Sequence, residues 1–161
     1  ADYSQSVSAR SDLGGGALNE LSHELDYINW LFGVDQVLSA SLRRSHELNT
    51  NVEEIVDAQI KLKNDALATI HLDFSQKRPH RKCTIIAEKA RIEWDLIANT
   101  ITQFDADGVT ILFDDSKYDK NNMYLDMLID FTAQKQNTVS LNEGLEVLHI
   151  IQRIRERAQN V

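Results

Sequence analysis

The chain has one cysteine, one proline and six glycines in 161 residues. No run approaches the roughly eighteen consecutive apolar residues of a membrane-crossing helix. A single cysteine, Cys83, excludes an internal disulfide, and its neighbours in "CTIIA" read as a buried strand position in a reducing compartment, taken as the cytoplasm. The N-terminus lacks the charged-then-apolar pattern of a secretory leader. It opens Ala1-Asp2 without an initiator methionine, as expected of a piece cut from something longer. Positive charge is also scarce: 17 Lys and Arg stand against 25 Asp and Glu, a formal charge of -8. Neutralising a nucleic-acid backbone is therefore not its main work. There is no low-complexity tract and no internal repeat, and a length of 161 residues with 42% hydrophobic and 26% charged residues fits one domain spanning 1–161.

One local exception to the acidic balance is "QKRPHRK", residues 76–82, which gathers Lys77, Arg78, Arg81 and Lys82 around His80 and Pro79. It reads as a solvated turn, with a seat for an anionic ligand as the alternative.

Half of the glycines stand together, in "DLGGGALNELSHELDYINWLFG", residues 12–33. On a helical wheel Ala17, Leu18, Leu21, Leu25, Ile28 and Phe32 share one side, and Asn19, Glu20, His23, Asp26, Tyr27 and Trp30 share another. Gly33 is a natural stop. The glycines lack the G-x-G-x-x-G spacing, a preceding strand and the Walker lysine, so they are read as backbone needing positive φ or a close approach to another surface, not as a phosphate loop.

Beyond Gly33 the period changes from 3.6 to 2. Residues 37–44, 56–63, 66–74, 81–88, 90–96, 100–104 and 109–113 read as strands. Links as short as "KND", "EK", "AN" and "DADG" require antiparallel neighbours. In residues 66–74 one face carries Ala66, Ala68, Ile70, Leu72 and Phe74, and the other carries Leu67, Thr69, His71 and Asp73. A half-polar face of this kind is a candidate partner surface. Helical periodicity returns at 121–134, and again after Ser140, which stands three residues before Glu143 in capping-box spacing. Leu141, Leu145, Leu148, Ile151 and either Ile154 or Arg155 are the expected inner stripe of this last helix. The fold class is α+β: one helix, a large mostly antiparallel sheet, and helices packed on one face, with the other face open.

The titratable candidates have competing readings. "HELDY" begins like the zinc motif H-E-x-x-H, but Tyr27 stands where the second histidine is needed. "DADG" (residues 105–108) resembles a calcium loop whose bidentate glutamate is replaced by Ser116, and a hairpin turn explains it better. His23 is either a structural histidine bonded to Glu20 or Asp26, or a histidine facing a cleft as a proton shuttle. His71 with Asp73 reads as a cross-strand or interface pair.

The block "DYSQSVSARSDLGGGALNELSHELDYINWLFG", together with "ATIHLDFSQKRPHRKCTIIAEKARIEWD", "NMYLDMLIDF" and "SLNEGLEVLHII", resembles the C-terminal domain of the Gfo/Idh/MocA oxidoreductases over nearly the whole chain. The resemblance implies a two-domain enzyme using NAD or NADP, with the dinucleotide on an N-terminal Rossmann domain that this sequence does not contain. The family's catalytic lysine belongs to a Glu-Lys-Pro motif of that half, and Glu88 to Ala90 is not its equivalent. This chain alone is therefore expected to be inactive. His23 matches the family's active-site histidine, which moves a proton as hydride moves to or from a sugar carbon. Glu20 falls where an aspartate usually stands, and Asn19 is the alternative because it keeps a spacing of four to the histidine. Tyr3 and Arg81 are implied substrate contacts. A sugar or nucleotide-sugar substrate and a homodimer through the open sheet face complete the expectation.

Overall fold

In the computed structural model, residues 6–45, 47–133, 135 and 139–160 are described. The chain divides into two compact units, Ala1–Ser75 with Val139–Val161, and Gln76–Thr138.

The first unit begins with 3-10 turns at Val7–Ala9 and Ser11–Leu13, followed by helices α1 (Ala17–Glu20) and α2 (His23–Phe32). Strands β1 (Val34–Arg43), β2 (Ile55–Leu62) and β3 (Leu67–Asp73) form an antiparallel run. The alternation of β2 places Val56, Ala58, Ile60 and Leu62 inward, all buried, as a strand covered on one face requires. Ile70 and Leu72 of β3 share that face, while Leu67 on the other is 70% exposed.

The last helix of the chain, α4 (Leu141–Arg157), also belongs to this unit. Its start is fixed by the expected capping box, the Ser140 hydroxyl accepting from the Glu143 amide and the Glu143 carboxylate accepting from the Ser140 amide. Val147, Ile150, Ile151 and Ile154 enter the core, whereas Leu141, Leu145 and Leu148 stay exposed. The expected stripe therefore holds at Ile151 and Ile154, and burial begins at Val147, six residues after Leu141. After α4 the chain adds a short parallel strand, Ala158–Asn160, beside β1, too brief to leave a period-2 signal.

The second unit is a meander of β4 (Lys82–Ile86), β5 (Ala90–Asp95), β6 (Thr100–Asp105) and β7 (Gly108–Asp114), followed by α3 (Lys120–Thr132). Every neighbouring pair is antiparallel, as the tight links require. No side chain of α3 is buried, so the stripe of Tyr124, Leu125, Leu128 and Ile129 exists but faces outward. All seven strand stretches form, and the fold is α+β. The strands lie in two sheets of four, where the sequence suggested one broad sheet: residues 74–81 interrupt the ladder, and Pro79 there has no amide hydrogen to continue it.

Candidate functional site

The candidate site is set by how the chain enters α1. A Cβ on Gly15 would stand 2.5 Å from the Ser8 carbonyl oxygen and 2.6 Å from that of Val7. Gly16 has φ of 115° and lies against the Glu53 carboxylate. Glycine is needed here for close approach and positive φ. The glycine amides are already engaged: Gly14 donates to Ser11 O at 3.2 Å, Gly15 to Arg10 O at 2.9 Å and Gly16 to Ser8 O at 3.0 Å. With those donors internal, this loop does not fit a dinucleotide pyrophosphate.

The expected single helix is broken. Leu21 leaves the helical region at φ -101°, ψ 22°, and the hydrogen bonds tighten to i, i+3 steps: Ser22 amide to Asn19 O at 3.3 Å, Glu24 amide to Leu21 O at 3.1 Å and Leu25 amide to Ser22 O at 3.0 Å. A 3-10 step turns about 120° per residue where an α-helix turns about 100°, so His23 is rotated away from the one-turn relation to Asn19 and Glu20. His23 Nε2 instead lies 3.0 Å from Glu24 Oε1. The imidazole is 46% exposed and the Glu24 side chain 13%. The carboxylate therefore has a fixed seat in the first turn of α2, where the helix dipole favours negative charge, and the ring attached to it opens to solvent. A carboxylate on one ring nitrogen orients an imidazole and leaves the other nitrogen to exchange a proton with a ligand.

The other expected site residues are spread more widely. Asn19 is held at both ends: its amide nitrogen donates to Gly14 O at 2.7 Å, and its oxygen accepts from Arg155 at 2.9 Å. Glu20 is exposed at the end of α1. Arg81 belongs to the second unit, its carbonyl accepting the Leu96 amide at 3.0 Å. Tyr3 lies outside the described residues.

Two features escaped the sequence reading. Glu24 was invisible to spacing rules because adjacent residues in an unbroken helix do not face each other, and Ser22 before it makes no side-chain cap that would mark a second helix start. Glu54 is fully buried and accepts from the Ser45 amide at 2.9 Å, the Ser45 hydroxyl and the Thr50 hydroxyl at 2.8 Å. It ties down the loop between β1 and β2. Glu54 is in phase with Val56, Ala58 and Ile60, so period 2 continued backwards marks it as inward.

On the exposed face of the first sheet, His71 Nδ1 meets Asp57 at 2.7 Å across the strands and Nε2 meets Asp73 at 3.2 Å. Arg43 bonds Asp57 at 2.6 Å. The bond from Asp57 holds the His71 imidazolium above its ordinary range, and His71, then Arg43, hold Asp57 below the usual carboxylate range. Cys83 is half-buried in β4. Among the described residues no helix is long and apolar enough to cross a membrane, and no group of three or more His, Cys, Asp and Glu converges as a metal site.

A family model described as "Oxidoreductase family, C-terminal alpha/beta domain", GFO_IDH_MocA_C, matches residues 8–161. The chain belongs to this Gfo/Idh/MocA family as a C-terminal domain. Solved structures agree on the fold. An aldose-aldose oxidoreductase from Caulobacter crescentus is similar at a TM-score of 0.77 and 19% identity, over 96% of this chain and 49% of that one. A biliverdin reductase from Synechocystis gives 0.74 and 16%, over 96% and 50%. The UDP-N-acetylglucosamine 3-dehydrogenase of Acidithiobacillus ferrooxidans gives 0.73 and 16%, over 98% and 49%. The chain thus spans about half the length of the solved chains it matches. No curated protein matches it.

Proposed function

We propose that residues 1–161 are the substrate-binding and oligomerisation part of a longer oxidoreductase that uses NAD or NADP on a sugar or nucleotide-sugar, in the cytoplasm. The family supplies the reaction class, and dehydrogenases of sugars and nucleotide sugars among its structural relatives support the substrate class. The dinucleotide and the catalytic lysine belong to a Rossmann half outside these residues, so this chain by itself has no turnover.

The observation that carries the reading is the half-exposed His23 ring held on Glu24 at 3.0 Å. In the oxidising direction His23 accepts the proton of the reacting hydroxyl, and in the reducing direction it returns it. Glu24 orients the ring. Glu20, exposed at the end of α1, is a carboxylate available to a substrate hydroxyl. The polar face of the first sheet is the proposed homodimer surface, burying about 800 Å² or more per partner.

In the enzyme carrying both halves, His23→Ala lowers turnover on the order of a hundredfold, a typical general acid-base contribution, with the melting temperature unchanged because the ring is largely outside the core. Glu24→Gln lowers turnover by a smaller factor, because an amide oxygen still orients the ring. Normal turnover in the His23 variant, or loss of folding instead of rate, makes this histidine structural and leaves a non-catalytic binding module as the better reading.

A further inference from the structure

Apart from the His23–Glu24 pair, the first unit contains a cavity of about 430 Å³ between the glycine run, the loop before β2 and the end of α4. His23 does not line it, but Arg44, Arg155, Asn19, Asn51, Ser11 and Glu53 do. Two of these are guanidiniums, and among the described residues neither Arg44 nor Arg155 has a carboxylate partner. A third guanidinium at the wall, Arg43, is already neutralised by Asp57 at 2.6 Å, which leaves Arg44 and Arg155 as the cavity's free positive charges.

Arg155 is also positioned. Its guanidinium donates to Asn19 Oδ1 at 2.9 Å, and Asn19 is itself fixed on Gly14 O at 2.7 Å. An amide that holds an arginine without neutralising it orients the fork and leaves its charge available. Asn51 accepts the Ser11 amide at 2.9 Å through its oxygen, which leaves its NH₂ group as a donor at the cavity wall, beside the Ser11 hydroxyl. The one carboxylate, Glu53, has its Oε1 3.4 Å from the Leu18 amide at the start of α1.

We propose that this cavity binds a phosphoryl group, held between Arg44 and Arg155 with Asn51 and Ser11 as neutral donors. Arginine forks match phosphate oxygens in pairs. The volume lies in the range of small-molecule sites, so a phosphorylated metabolite fits as well as the free anion. The site is independent of the catalytic reading of His23.

Isothermal titration of the intact chain with inorganic phosphate, glucose 6-phosphate and glucose tests it without any turnover. Heat is expected from the phosphorylated ligand and none from glucose. Tighter binding of glucose 6-phosphate than of phosphate identifies a phosphorylated metabolite, and equal binding identifies free phosphate. Arg44→Gln and Arg155→Gln are each expected to weaken binding about tenfold. Arg44→Gln touches no described hydrogen bond and keeps the test valid if Arg155→Gln disturbs the Asn19 contact. No heat from either phosphate ligand, or undiminished binding in a folded Arg44→Gln variant, overturns the proposal.

Discussion

Among the described residues, all of the buried hydrophobic side chains belong to the first unit, where Leu25, Ile60, Ile150 and Ile154 are within 1% of full burial. The second unit, by contrast, leaves Val109 67%, Ile111 65%, Met127 62% and Phe131 72% exposed. It is held by an antiparallel ladder, with one register shift between Ile101 and Thr102, and by pairs along it, such as Arg91 stacked 4.2 Å over Phe104 and Lys82 bonded to Asp95 at 2.9 Å. One unit is stabilised by what it removes from water. The other keeps its apolar side chains in contact with solvent, which is the mark of surfaces that meet a partner.

The sharpest way to break that contrast is a pair of matched truncations. Ile150→Ala removes a side chain 1% exposed and is expected to cost about 2–5 kcal/mol through lost burial and the cavity left behind. Ile111→Ala, at 65% exposure, is expected to stay within about 0.5 kcal/mol in the monomer. Chemical denaturation measures both. Equal costs would mean that the second unit has a core of its own. Next in size is Gly15→Ala, whose added methyl meets two carbonyl oxygens of the preceding 3-10 turn; strain of about 1–3 kcal/mol is expected, with α1 and the Asn19–Arg155 contact displaced. A variant as stable as the parent would show that the glycine run tolerates side chains and that its close packing is incidental.

Much of this was legible in the sequence because burial and period agree in the first unit. Val56, Ala58, Ile60 and Leu62 alternate inward, and Ala17, Leu18, Leu25 and Ile28 face the core. In the second unit the same patterns gave the strands of the meander and α3, but not which side they expose, because an amphipathic stripe looks alike whether its partner lies in the same chain or elsewhere. The carboxylate that His23 meets was not legible. A wheel drawn at one angle per residue carries an error forward from any 3-10 step, and the tightening between Asn19 and Leu25 exchanged Glu20 for Glu24 beside His23.

The smallest expected effect lies on the polar face of the first sheet and depends on pH. His71 has its pKa raised above its ordinary 6.5, first by the hydrogen bond to Asp57, so its contribution is full below about 6.5 and is lost as pH rises through the raised value. Asp57 is lowered below its ordinary 3.8, first by His71, so its contribution is present above about 3.8 and is lost as pH falls through the lowered value. The two combine to make the pair most stabilising between about pH 4 and 6.5. With side chains 52% and 41% exposed, solvent screening keeps the effect under about 1 kcal/mol. Asp57→Asn should flatten this part of the stability curve, measured by denaturation between pH 4 and 9, and should leave the second unit's Lys82–Asp95 pair untouched. If a partner covers this face, the same measurement becomes concentration-dependent, because desolvation strengthens an ion pair that solvent now weakens. A pH profile that ignores both the substitution and protein concentration would remove His71 and Asp57 from the proposed interface.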